Sequence, residues 1–365
     1  MTGAIVTRQV SRAVLTPLWA VQLFSAAKSF ERNPLIGSPR FNERGLHAAR
    51  VRLAYRLATH RRARLAGLVA AEDRAAFARD GFVVRRNFLL ARDFAALLAE
   101  VAAYRGLMRE MAEGDTLMRK VPLDRRALAA MPALKAVLHS PEWQGLIRYI
   151  GSRNAAPVVW VQSLLRHACD GPADPQTFLH ADTFHPTVKA WLFLTDVAED
   201  AGPFIYVPGS HVLTAARLQW ERRTSLSARE APDADTRAGS FRLDPAELAD
   251  LGLPPPQAFA VPANTLVVAD TFGFHARGPS LRPSMRVEIW AYGRRSPFPS
   301  PAPLVPWTTA GLAWRSMLGW QADGLLAAVG LKKNRWRLRT GVSAFDPAPA
   351  ERTPRPSRSG HGPNL

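Results

Sequence analysis

The middle of the chain carries the stretch FLHADTFHPTVKAWLFL (residues 178–194), in which a polar motif precedes a β-rich run. The motif places His180 two residues before Asp182. In an extended strand, residues i and i+2 face the same side, so one imidazole and one carboxylate can bind a single divalent ion. By itself an H-x-D motif is weak, because it is short and its residues are common.

A third ligand has to come from elsewhere, and the sequence DTFGFH (residues 270–275) places His275 at the end of a later β-rich run. Two histidines and one carboxylate on one face of a metal leave three positions open on Fe(II). Arg286 follows eleven residues later across the turn RGPSLRP (residues 277–283). Antiparallel neighbours joined in this way can bring a guanidinium beside the metal, where it would pair with the distal carboxylate of a keto acid.

The surrounding sequence predicts a mainly antiparallel β domain. The β-rich runs are Val158–Leu165, Thr187–Leu194, Phe204–Val207, Thr265–Ala269 and Val287–Tyr292. Pro, Gly and Asp separate them at spacings typical of a barrel or sandwich. The polar residues 213–259 interrupt these runs and are predicted to form an insertion over one mouth of the barrel. Helical patterns come before the runs, at residues 72–78, 91–104, 124–138 and 141–150.

From about Leu68 to Pro297 the sequence resembles the phytanoyl-CoA dioxygenase family of Fe(II)/2-oxoglutarate oxygenases. The resemblance rests on the H-x-D motif, on AGPFIYVPGSH (residues 201–211) and on His275 followed by Arg286. It also rests on the helix and strand at the start of the region, which contain Asp80-Gly81-Phe82. It implies a double-stranded β-helix (jelly-roll or cupin-like) core with an N-terminal helical layer and helical extensions.

The resemblance also implies roles for individual residues. His180, Asp182 and His275 would hold Fe(II), and Arg286 would clamp the cosubstrate 2-oxoglutarate. Four further residues match positions that line or contact the cosubstrate or substrate in relatives: Trp191, Gln162, Arg166 and Lys120. Arg166 and Arg277 depart from the usual residue types. Related halogenases lack the carboxylate of Asp182, so its presence favours hydroxylation of a small molecule by O2, with release of succinate and CO2.

Two other histidines lie close to these motifs. His211, in the Pro-Gly-Ser-His loop, is expected to be structural, because Gly209 can form a tight turn at a strand end. His185 is expected to donate or accept a hydrogen bond at the mouth of the pocket.

The charge distribution separates the ends of the chain from its body. The formal net charge is +18, of which residues 1–65 carry +10 and residues 314–365 carry +6. The predicted division is a basic N-terminal extension (1–65), the dioxygenase domain (66–298), a Pro linker with a Trp-rich basic segment (299–340) and a disordered tail (341–365). The single cysteine, Cys169, excludes an internal disulfide and indicates a cytoplasmic protein.

The basic ends have several interpretations. The apolar run 13–27, the Arg-rich stretch 50–64 and the segment 307–339 suit peripheral contact with an anionic membrane on its inner face, and therefore a lipid or lipid-linked substrate. The first run is too short to span a membrane, but it could be part of a signal peptide. Alternatively, both ends pack on the core as helical cover. A non-catalytic β-barrel module on a membrane or envelope is a further alternative, and no nucleic-acid motif is recognisable.

Overall fold

The computed structural model describes residues 16–169, 175–299, 309–328, 330 and 336–348. Its strands are β1 (Phe82–Arg85), β2 (Met108–Glu113), β3 (Thr116–Pro122), β4 (Val158–Arg166), β5 (Val188–Phe193), β6 (Phe204–Tyr206), β7 (Gln257–Phe259), β8 (Thr265–Asp270), β9 (His275–Arg277), β10 (Ser284–Gly293) and β11 (Arg337–Arg339). Its helices are α1 (16–22), α2 (Pro39–Glu43), α3 (Leu46–Leu65), α4 (Ala71–Asp80), α5 (Ala91–Ala103), α6 (Arg125–Ala130), α7 (Pro132–His139), α8 (Pro141–Ile150), α9 (Ala215–Ser227), α10 (Ala234–Arg237), α11 (Pro245–Asp250) and α12 (Thr309–Ala328).

Two antiparallel sheets form the β domain. The larger sheet has the order β1-β8-β5-β10-β4-β3-β2-β11, and the smaller has the order β7-β6-β9. From β5 to β10 the chain passes repeatedly between the two sheets, as a double-stranded β-helix requires. Aromatic side chains fill the space between them, with the rings of Phe82 and Phe259 4.9 Å apart. The sheets stay open at their edges, and the expected mainly β fold with helices is confirmed.

The two faces of the large sheet have different chemistry because successive side chains alternate. One face buries Val161, Leu192 and Ile289 against helices α4, α5, α7 and α8, forming the main hydrophobic core. The residues next to them, including Gln162, Trp191 and Glu288, face the other way. The helical layer therefore holds the sheet from behind and leaves its other face for the site.

Two details of the predicted secondary structure are corrected. The helix expected over 124–138 is split at Met131, because a residue before proline disfavours helical dihedrals and Pro132 begins α7. The hairpin of β2 and β3 is not among the predicted strands. Its turn contains Gly114 at φ 58°, a left-handed conformation that glycine adopts without strain.

The described part of the predicted N-terminal extension packs on the domain. Helix α3 buries Val51, Ala54 and Ala58. The Arg50 guanidinium donates to the carbonyls of Leu23, Ser25 and Ala27. Helical cover is therefore one role of this stretch. None of the helices in the described residues combines the length and apolar character that a membrane crossing requires.

The C-terminal segment also packs on the domain. Trp320 of α12 lies 5.0 Å from Trp160 of β4, measured between ring centroids. The disordered tail does not begin at residue 341, since Ser343 and Ala344 are buried and Ser163 donates to the Ala344 carbonyl. Most of the predicted Pro linker, Trp307, the Lys332/Lys333/Arg335 cluster and residues 349–365 lie outside the described residues.

Candidate metal centre

Two chain segments bring His180, Asp182 and His275 together. His180 forms an isolated antiparallel bridge with His275, the first residue of β9, through two main-chain hydrogen bonds of 3.0 Å. The Asp182 amide donates to the Thr271 carbonyl in the turn that precedes β9. One ligand atom from each residue lies within 4.8 Å of the others, and all three side chains are buried. The H-x-D motif is thus a bridge followed by a loop and not part of a longer strand.

Main-chain carbonyls fix the tautomers of both histidines. Nδ1 of His180 lies 2.8 Å from the Phe178 carbonyl, and Nδ1 of His275 lies 3.0 Å from the Gly273 carbonyl. A carbonyl oxygen can only accept, so each Nδ1 carries the proton and each Nε2 keeps its lone pair. Burial lowers the pKa of His275 to about 4 and lowers that of His180 well below its usual value, which keeps both rings neutral.

An ammonium group already lies among these ligand atoms. Nζ of Lys189, on β5, is 2.7 Å from Oδ2 of Asp182 and 3.3 Å from Nε2 of His275. Burial by itself raises the pKa of Asp182, but Lys189 and Arg294 outweigh it and hold that pKa well below its usual range. The donor set is therefore two neutral imidazoles and one ionised carboxylate around a cation, which suits Fe(II).

A buried ion pair organises the turn that delivers His275. Asp270, at the end of β8, accepts from the amides of Thr187 and Phe272 at 3.0 Å and from the Arg62 guanidinium at 2.6 Å. Gly273 leaves room for the neighbouring tyrosine, since a Cβ at this position would lie 1.9 Å from the Tyr206 hydroxyl. The Arg-rich helix α3 thus helps to set the position of the third ligand.

A cavity of about 340 Å³ opens onto the three ligands, a volume at the lower end of the range for small-molecule pockets. Its lining includes most of the residues predicted to contact the cosubstrate, namely Lys120, Gln162, Trp191 and Arg286. Arg277 lines it as well. The three predicted metal ligands and four of the five residues predicted to contact the cosubstrate are therefore brought together around one space, from segments that are far apart along the chain.

Arg286 makes two contacts at the end of the cavity that Gln162 and Lys120 also line. It donates to the Gly202 carbonyl at 2.6 Å, and its Nε lies 2.9 Å from Oε2 of Glu288. Gln162 donates to the other oxygen of Glu288 at 2.7 Å. Burial lowers the pKa of Lys120 to about 7, and its ammonium lies 4.4 Å from the centroid of the Trp290 ring. This end fits an anionic cosubstrate, because it is buried and rich in positive charge.

Arg166 and His185, which the sequence predicted near the pocket, do not line the cavity, and neither does His211, which it predicted to be structural. Arg166 lies at the end of β4, where it donates to the Thr116 hydroxyl. His185 is not at the pocket mouth, because its ring is buried with Nδ1 3.0 Å from the Pro186 carbonyl. His211 packs beside Phe77, as expected for a structural residue.

Sequence reasoning missed several charged residues of the site. The sequence could have predicted two of them, Glu288 and Lys189. They lie two residues from Arg286 and Trp191 on the same strands and therefore on the same face. No sequence pattern indicated Lys28, Arg242 and Arg294, because they come from distant segments. All three line the cavity. Burial, followed by the charge of Arg294, lowers the pKa of Lys28 to about 8.

Comparison with known proteins matches part of the chain to one family. The sequence model of the family described as phytanoyl-CoA dioxygenase matches residues 77–248. Among solved structures, the non-heme alpha ketoglutarate dependent epimerase SnoN from nogalamycin biosynthesis is 23% identical, with a TM-score of 0.40, and 62% of this chain and 82% of that chain are covered. HygX from Streptomyces hygroscopicus, solved with nickel and 2-oxoglutarate bound, is 18% identical, with a TM-score of 0.37, and 62% and 87% are covered. No protein of curated function matches the sequence.

The family match includes the H-x-D motif, and the structure adds the second histidine to it. Together they favour the enzymatic interpretation over a non-catalytic β-barrel module. Residues 77–248 therefore form a phytanoyl-CoA dioxygenase family domain, and the protein is an Fe(II)/2-oxoglutarate-dependent oxygenase.

Proposed function

We propose that the protein hydroxylates an unactivated C–H bond of a small molecule, and that His180, Asp182 and His275 are its iron ligands. The observation that carries this proposal is the buried set of two Nε2 lone pairs and one carboxylate around a cation. Asp182 completes a three-ligand protein set, which supports hydroxylation over halogenation. Such a set leaves room for a keto acid and O2 on the metal.

Iron, 2-oxoglutarate and O2 together supply the oxidising power for C–H cleavage, and the protein positions the reactants and excludes water. Arg286 binds the distal carboxylate of 2-oxoglutarate as a charged fork, and Trp191 lines the same end of the cavity. The Nδ1 hydrogen bonds to Phe178 and Gly273 keep the two imidazoles turned toward the metal. The insertion closes over the site through Asp235, Ser240 and Arg242.

The test is the visible charge-transfer absorption that Fe(II) and 2-oxoglutarate produce together on such a centre without O2. We expect the band in the wild-type protein, followed by succinate formation when O2 is admitted. His180→Ala, Asp182→Ala and His275→Ala should each lose both signals while the circular dichroism spectrum is retained. His139→Ala is the matched control, since this histidine lies on the surface of the domain. A variant that keeps the band would remove its residue from the proposed ligand set.

We further propose that the substrate is a lipid or a lipid-linked molecule. Two groups of exposed apolar side chains support this proposal. Leu18, Val21 and Phe24 project from the N-terminal segment, and Trp314 and Leu325 project from α12. Apolar side chains next to basic residues suit contact with an anionic bilayer surface.

A further inference from the structure

The side chains that line the cavity carry an excess of positive charge that bound iron and 2-oxoglutarate would not neutralise. Its lining has seven cationic and three anionic side chains, and Glu288, the buried partner of Arg286, supplies a fourth anion, which leaves an excess of three positive charges. If the site loads as proposed above, Fe(II) adds two positive charges and 2-oxoglutarate adds two negative charges, so the excess remains. A cavity lined by an excess of one charge attracts ions of the opposite sign, and the lining therefore suits another anion.

Six of the seven cationic residues form two groups, and the seventh, Lys189, lies among the ligand atoms. Lys120, Arg277 and Arg286 lie near Glu288, at the end assigned to 2-oxoglutarate. Lys28, Arg242 and Arg294 form the second group: Lys28 and Arg294 contact Asp182, and Arg242 pairs with Asp235, whose charge also acts on Lys28. This second group is assembled from the turn after α1, the insertion and the end of β10, so it exists only in the folded chain.

The three cations of the second group have few hydrogen-bond acceptors. Lys28 donates to the main-chain carbonyl of Asp182 at 2.7 Å, and Arg294 lies 3.4 Å from Oδ1 of Asp182. Arg242 pairs with Asp235, but its Nη1 is buried and has no hydrogen-bond partner among the described residues. A metal ion bound to Asp182 would take up that carboxylate, so Arg294 would lose its counter-charge. The geometry thus leaves N–H donors from three cations around one side of the cavity.

From this geometry we propose that the substrate carries a phosphoryl group, bound by Lys28, Arg242 and Arg294 while its reacting carbon lies over the metal. A phosphoryl group offers several anionic oxygens, which matches two guanidinium forks and one ammonium. The proposal rests on the proposed function for the position of the metal, but the phosphoryl site can be tested without turnover.

The test is calorimetric binding of inorganic phosphate and of glycerol 3-phosphate to the full chain, first metal-free and then loaded with Co(II) and 2-oxoglutarate. We expect binding in both states. Arg242→Gln and Arg294→Gln should each weaken it tenfold or more and leave the affinity for 2-oxoglutarate unchanged. Arg282→Gln is the matched control, because Arg282 is exposed and pairs with Asp200.

Vesicles containing phosphatidylglycerol distinguish the two sources of the group. Vesicle binding that Arg294→Gln weakens would identify a lipid headgroup, whereas binding of glycerol 3-phosphate alone would identify a soluble phosphate ester. Phosphate binding that persists in both Arg242→Gln and Arg294→Gln but disappears in Arg286→Gln would place the anion at the cosubstrate end and overturn the proposal. Absence of binding to every probe would overturn it as well. Neither result bears on the iron and 2-oxoglutarate absorption band, so the two proposals fail separately.

Discussion

Glu288 gives Arg286 a carboxylate partner before any cosubstrate arrives. The pair is buried, and Gln162 fixes the far oxygen of the glutamate. Removing either partner of a buried pair leaves an uncompensated charge, so truncation of Arg286 would disturb the fold as well as the binding of 2-oxoglutarate. A substitution that keeps the charge isolates the second effect.

Arg286→Lys is therefore the informative change. An ammonium cannot bond Gly202, Glu288 and a cosubstrate carboxylate with the geometry of a guanidinium fork. We expect the KM for 2-oxoglutarate to rise about tenfold or more, about 1.4 kcal/mol, with the folded structure retained. Arg282→Lys, on the exposed turn before β10, should leave KM unchanged. An unchanged KM in Arg286→Lys would contradict the clamp assignment.

Lys189 occupies the place that a metal ion would take between Asp182 and His275. Its ammonium bonds Asp182 and His275 and must withdraw before a metal ion can bind them. Replacing it with Met removes a charge-assisted competitor worth about 1.5–3 kcal/mol. We expect Lys189→Met to bind Co(II) about tenfold more tightly in a titration, whereas Lys135→Met, on the exposed surface of α7, should match the wild type. Weaker Co(II) binding would instead show that Lys189 supports the centre.

Helix α3 links the basic N-terminal residues to the site. Arg62 donates to the Ile150 carbonyl at 2.7 Å and to Asp270 at 2.6 Å, and Asp270 holds the turn that leads to His275. The helix therefore contributes to the geometry of the site as well as covering the core. Deleting residues 1–65 would remove this contact together with the helical cover, so point substitutions test the helix better than truncation.

Arg62→Leu should lower the free energy of unfolding by about 3–5 kcal/mol, because it leaves Asp270 buried without its cationic partner. Arg64→Leu, on the exposed face of the same helix, should change it by less than about 0.5 kcal/mol. Urea denaturation followed by circular dichroism measures both. Equal stabilities for the two variants would show that the ion pair does not anchor the turn.

Both ends of the chain combine packed and exposed faces. If the exposed faces contact an anionic bilayer, the full chain should float with phosphatidylglycerol vesicles at low salt and less so at high salt. Phe24→Ser and Leu325→Ser should reduce flotation, because both side chains are about 70% exposed. Leu281→Ser, also exposed but on the β9–β10 turn, is the control. Flotation that neither Phe24→Ser nor Leu325→Ser reduces would contradict membrane contact through these faces.

The sequence by itself determined the local features of this protein. Short β-rich runs located β4, β5, β8 and β10, and the Pro, Gly and Asp residues between them located most of their ends. Two ligands, His180 and Asp182, are two residues apart, and Arg286 follows His275 at a spacing that suits adjacent strands. These relations follow from the short-range geometry of an extended chain, so they can be read without a structure.

Tertiary structure decided the rest. Lys28, Arg242 and Arg294 meet only because the N-terminal turn, the insertion and the last long strand fold over one cavity. Arg62 and Asp270 are 208 positions apart, and Arg50 binds carbonyls more than twenty positions away. Sequence patterns report which face of an element is apolar, whereas the partner of a buried charge depends on which elements the core packs together.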